Sequence, residues 1–208
     1  MKNFSGLNAE EKANVITHGA GLLLIVMLSP VLIFKMIHGA NWMLLGSLTF
    51  CFGAMFVFFS STYYHFTQHE KRKQVWRTID HIAIFFLIGG TYTPFILKFH
   101  FTDDGLIFLA VHWAIILCGI IFKIFFTGRL EIISTALYIA LGWMVMFIIR
   151  PITECMDDTV FFWLIAGGMS YTAGVIFYMW ERLPFNHSIW HVFVLGGCMS
   201  HFISLYHF

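Results

Sequence analysis

The sequence predicts an all-α membrane protein, a seven-transmembrane helix bundle forming one domain over residues 1–208, with its N-terminus cytoplasmic and its C-terminus outside. Three observations carry this. Of 208 residues, 59% are hydrophobic and only 11% charged, against about 25% charged in a soluble domain, too little to cover a surface that faces water. The apolar residues fall into seven runs, most of them close to the ~20 residues that cross roughly 30 Å of hydrocarbon. Basic residues gather on alternate connections between the runs. A net charge of +1 supplies no basic field of the kind nucleic acid requires. The partners it leaves are membrane lipids, ions and other membrane helices.

The first run, 14–36, follows an N-terminus that is polar through Lys12. It is too long for a signal-peptide core and lacks an A-x-A site, so it is expected to remain as a span. The second, 42–64, has Trp42 at one end and Tyr63 and Tyr64 at the other, as interfacial anchors do. A basic stretch with Lys71, Arg72, Lys73 and Arg77 separates it from the third, 79–99, which the acidic pair Asp103-Asp104 divides from the fourth, 105–126. Lys123 and Arg129 mark the end of the fourth and the approach to the fifth, 132–149. Arg150 and Asp157-Asp158 lie before the sixth, 159–179, and Arg182 lies before the seventh, 187–206. With the N-terminus inside, the inner segments hold nine basic residues, Lys2 and Lys12 among them, and the outer segments three: Lys35, Lys98 and Arg150. That bias sets the orientation of a multi-pass protein in a plasma membrane.

Cys51, Cys118, Cys155 and Cys198 lie far apart and form no C-x-x-C pair, so they read as small packing residues. Gly89-Gly90, Gly167-Gly168, Gly174 and Gly196-Gly197 read as sites of close helix contact, because lipid gives helices no hydrophobic incentive to associate.

Ionisable groups at membrane depth are costly and usually functional. His187 and His191 are four residues apart, on one helical face and about 6 Å apart along the axis. Ser61 and His65 close the second run with the same spacing, Asp80 opens the third, and Asn14 and His18 open the first, all on the inner side. Neutral imidazoles at His65, His187 and His191 fill three positions of a tetrahedron and leave the fourth for water, the arrangement of catalytic rather than structural zinc. Asp80 is the candidate to orient or deprotonate that water, and Ser61 to hold it or a substrate oxygen. Each has a plainer alternative: a histidine touching headgroups, or Asp80 paired with Arg77. Asn14, His18 and His201 are candidates for supporting the ligands, although His201, ten residues past His191, lies about 15 Å further along the helix and cannot share the ion. There it makes an interhelical hydrogen bond or lines the space above the site. His81 faces about 100° away from Asp80 and is expected not to ligate.

Glu11-x-x-Asn14-x-x-x-His18, Ser61-x-x-Tyr64-His65, Asp80-His81 followed by Gly90-Thr91-Tyr92-Thr93-Pro94-Phe95, and Asn186-His187-x-x-Trp190-His191 with His201 resemble the bacterial hemolysin III family. That family belongs with the progestin and adipoQ receptors and is distantly similar to alkaline ceramidases. The resemblance covers nearly the whole chain. It implies a seven-helix bundle in the bacterial inner membrane with zinc near the cytoplasmic face, held by His65, His187 and His191, with Asp80 acting on the metal-bound water and Ser61 beside it. It also implies lipid amides, ceramide in particular, as the substrate class of the relatives.

Three functions follow as expectations. The first is a zinc-dependent hydrolase of lipid amide or ester bonds. The second is a receptor-like or lipid-regulating protein with structural zinc clamping the seventh span to the second. The third is cytolysis, which the family's name implies; the few polar residues of spans four to six do not favour an aqueous pore.

Overall fold

A computed structural model describes residues 4–208, so Lys2 lies outside the described residues. After a short 3-10 turn the chain forms eight α-helices: α1 (Ala9–Met36), α2 (Asn41–Phe66), α3 (Glu70–Phe99), α4 (Asp103–Phe126), α5 (Glu131–Trp143), α6 (Ile149–Thr153), α7 (Asp158–Met179) and α8 (Asn186–Tyr206). No strand occurs among the described residues. All but α5 and α6 are long and apolar enough to cross a membrane, six candidate spans in total. Leu23, Phe34, Phe125 and Ile132 are exposed on the outside of the bundle, where a lipid environment removes the cost of leaving them unburied.

The helix starts follow ordinary capping chemistry. Asn8 Oδ1 accepts the Glu11 N–H at 2.7 Å, and Glu10 and Glu11 lie in the first turn of α1, where the helix dipole favours negative charge. Thr102 caps α4 in the same way, through the Gly105 N–H at 3.2 Å. α8 starts without a side-chain cap, behind Phe185 in the left-handed region at φ 58°. Its N–H donates to Glu10 Oε1 at 3.1 Å, which ties the start of the last helix to the start of the first.

α2 and α3 pack backbone against backbone. A Cβ on Gly53 would lie 2.5 Å from the Phe86 carbonyl oxygen, and one on Gly90 2.6 Å from that of Thr49. Only glycine permits that approach. α7 and α8 form a second tight pair, with Gly174 against the Trp190 ring.

The fifth apolar run differs from the sequence expectation. It is α-helical only through Trp143, continues as a 3-10 stretch over Met144–Phe147, and resumes as the short α6. The reason lies in the break: Tyr92 of α3 donates its hydroxyl proton to the Gly142 carbonyl at 2.8 Å and accepts the Val145 N–H at 2.8 Å. One side chain thus satisfies two backbone groups that an unbroken ladder would have paired. α3 is longer than its apolar run, beginning at Glu70 with polar turns that carry Lys73 and Arg77.

Candidate metal centre

The start of α1, the end of α2 and the starts of α3 and α8 meet at one end of the bundle. There His65, His187 and His191 each offer one ring nitrogen, all within 4.8 Å of one another. The ring centroids are 5.1 Å apart for His65 and His187, 5.1 Å for His65 and His191, and 4.5 Å for His187 and His191. His65 Nε2 and His187 Nε2 are buried and have no hydrogen-bond partner. Buried ring nitrogens that face one another without partners are what a cation with nitrogen preference requires, so the donor set fits zinc.

α1 fixes the tautomers. Glu11 Oε2 lies 2.6 Å from His65 Nδ1; a carboxylate only accepts, so the ring proton is on Nδ1 and Nε2 is free. Thr17 gives its hydroxyl proton to the carbonyls of Ala13 and Asn14, at 2.9 and 3.0 Å. Its oxygen, 3.2 Å from His191 Nδ1, therefore accepts from that ring, which again frees Nε2. His18 lies flat on His191, with centroids 3.5 Å apart. Asn14 Oδ1 accepts from Ser188 Oγ at 2.5 Å. Partners on the far ring nitrogen orient an imidazole and would strengthen its basicity toward a metal.

Ser61 and Asp80 are buried and line the same cavity as His18, His187 and His191, but neither belongs to the close group of nitrogens. Ser61 Oγ sits beside the Asp80 carboxyl without reaching hydrogen-bond geometry to any partner. Asp80 does not pair with Arg77. That guanidinium meets Glu131 at 3.3 Å, in a separate cluster where Glu131 also accepts from the fully buried Lys123 at 2.6 Å and from the Gly128 N–H at 2.8 Å. His81 Nδ1 lies 3.6 Å from the same carboxylate and is not in the close group of three imidazoles. His201 meets no ligand; its Nε2 reaches the Leu164 carbonyl of α7 at 3.1 Å, and it lines the far part of the cavity.

Sequence reasoning missed Thr17, Lys73 and Ser188. Lys73 Nζ binds the other Glu11 oxygen at 2.7 Å, which holds the carboxylate in place for His65. Thr17 is one residue before His18, and the only sequence signal was its membership of a polar helix start.

Residues 7–202 match the model of a family described as haemolysin-III related. The chain is 40% identical over 200 residues to "Hemolysin-3 homolog" of Bacillus subtilis (strain 168), covering 94% of this chain and 92% of that one. It is 41% identical over 200 residues to "Hemolysin-3" of Bacillus cereus, covering 94% and 90%. At 23% identity over 210 residues it is also similar to the human "Monocyte to macrophage differentiation factor", covering 95% of this chain and 83% of that one.

Proposed function

Because the chain belongs to the haemolysin-III-related family and is a multi-pass protein of the bacterial inner membrane, we propose that it is a zinc-dependent hydrolase of lipid amide or ester bonds. The proposal includes one domain of seven spans, the broken α5 to α6 segment counted as one, with the N-terminus in the cytoplasm. The basic residues Lys71, Arg72, Lys73 and Arg77, on or near the polar start of α3, support that orientation.

The observation that carries the reading is the position of His187 and His191, with His65 grouped against them, at one end of a cavity with a mainly apolar wall, which extends along the bundle to Phe95 and Ile96 of α3. Their free nitrogens would hold the ion, and a wall of this kind suits an acyl chain. A zinc ion bound there would supply Lewis-acid polarisation of a carbonyl and a water of lowered pKa. The protein's own groups do the rest. Asp80 takes the proton released in the attack and returns it to the leaving group, and Ser61 holds the carbonyl or leaving oxygen. Glu11 and Thr17 keep His65 and His191 in the tautomer that turns Nε2 inward.

The test is metal analysis of purified wild-type protein beside His191→Ala, followed by turnover of acyl amides and esters by the zinc-loaded protein. The expected result is about one zinc per chain, lost in the variant, and hydrolysis that Asp80→Ala lowers by roughly 10²–10⁴. Zinc-loaded protein inert on every amide and ester, with Asp80→Ala indistinguishable from it, refutes the reading.

A second reading, a structural clamp in a receptor-like or lipid-regulating protein, has one observation in its favour. α2 and α8 pack mainly through α1 rather than against each other, so a cation shared by His65 and His191 ties two helices otherwise joined indirectly. Loss of thermal stability in His65→Ala that tracks metal loss, with no turnover in wild type, selects the clamp.

A further inference from the structure

The cavity that starts at the imidazoles continues to His201 of α8 and Tyr171 of α7. Ten residues of one helix separate His191 from His201, about 15 Å by helical rise. The Leu164 carbonyl can only accept, so the contact at 3.1 Å places the His201 proton on Nε2 and leaves Nδ1 as a bare acceptor. Nδ1 is buried without a partner, in a residue only 5% exposed. The Tyr171 hydroxyl is also buried without a partner, its ring centroid 5.5 Å from that of His201. Space for the two rings comes from glycines on the opposite helices. A Cβ on Gly167 would lie 2.3 Å from the His201 ring, and one on Gly197 2.8 Å from the Tyr171 ring.

Buried polar atoms without partners in a native fold call for an explanation. Here one is an acceptor and the other a hydroxyl free to donate, on rings whose centroids are 5.5 Å apart, in a wall that also includes Leu164, Val194 and Phe95. Neither offers a counter-charge to a carboxylate or an ammonium. A ketone would engage Tyr171 alone. Besides water, the group that satisfies both at once is an alcohol, which donates to Nδ1 and accepts from the phenol and, unlike water, can be carried there by an acyl chain.

We propose that His201 and Tyr171 form a second binding site that takes the hydroxyl of a hydroxylated acyl chain whose polar head lies at His65, His187 and His191. The position of the head rests on the hydrolase reading; the pairing of the hydroxyl does not. The geometry selects chains with the hydroxyl about 15 Å from the head, far down the chain rather than next to the carbonyl.

Displacement of a fluorescent fatty acid from the full-length protein in detergent measures binding without turnover. The unaltered protein is expected to bind 12-hydroxystearate about tenfold more tightly than stearate or 2-hydroxystearate. In Tyr171→Phe the preference should shrink to within about twofold while stearate affinity stays the same. Equal affinities in the unaltered protein, no binding of either acid, or a preference untouched by Tyr171→Phe would each overturn the site. The comparison of ligands in the unaltered protein decides even where the variant fails to fold. A 12-hydroxy preference without any hydrolysis keeps this site and removes the hydrolase; hydrolysis with no preference does the reverse.

Discussion

Glu11 and His65, on the first and second helices, are joined by a 2.6 Å contact from carboxylate to Nδ1, and the second oxygen of the same carboxylate is held by Lys73 at 2.7 Å. The contact decides which face of the imidazole is available. Without the carboxylate only the Asn14 amide remains beside Nδ1, at 3.3 Å, and as a donor it favours the tautomer whose proton, not lone pair, points at His187 and His191.

Glu11→Gln is therefore expected to weaken zinc binding by 10–100-fold with the helical fold retained. Competition against a chromophoric chelator measures the affinity, and circular dichroism measures the fold. An unchanged affinity would show that the carboxylate does not orient His65.

Thr17→Val removes the acceptor at His191 Nδ1 and leaves the side-chain volume nearly unchanged. The same titration should show a loss of roughly tenfold, smaller than the combined effect of the variant with Glu11→Gln.

Acid should release the metal. Imidazole must be neutral to ligate, so protons compete with zinc, and occupancy is full near neutrality and falls as the pH is lowered. Dialysis at about pH 4.5 is expected to strip the ion, and return to about pH 7.5 with added zinc to restore it. Full retention in acid would mean that groups other than histidine hold it.

The glycines separate into two kinds. Gly53→Ala forces a methyl to within 2.5 Å of the Phe86 carbonyl oxygen and should cost about 1–3 kcal/mol, read as a lowered Tm. Gly168→Ala meets nothing within 4 Å and should be neutral or stabilising by up to about 1 kcal/mol, from helix propensity.

Tyr92→Phe leaves the Gly142 carbonyl and the Val145 N–H without their shared partner. The expected cost is about 1–3 kcal/mol. Hydrogen exchange should localise the change to residues 142–147, since the rest of α3 keeps its own ladder.

The convergence of His65, His187 and His191 was legible because a four-residue spacing fixes a helical face whatever packs against it, and because all three imidazoles fall at the same depth. Glu11 and Thr17 were not legible as their partners. α1 is apolar over most of its length, and the face it turns inward is chosen by contact with α2 and α8. Lys123 read as a basic residue near a loop; it is buried because Glu131, eight residues on across a left-handed turn at Gly128 and Leu130, supplies its counter-charge. The break after Trp143 was hidden for a similar reason: hydrophobicity sets the length of a run, whereas the hydroxyl that interrupts this one comes from a different helix.

Imidazoles of α2 and α8 are braced by side chains of α1, so the cluster joins segments that leave the ribosome far apart in time. A product cut short before residue 187 would carry His65 without either of the imidazoles that meet it. If the cluster takes zinc as proposed, loading would wait until α8 has come to rest beside α1 and α2, and would report that these distant segments have met in the bilayer.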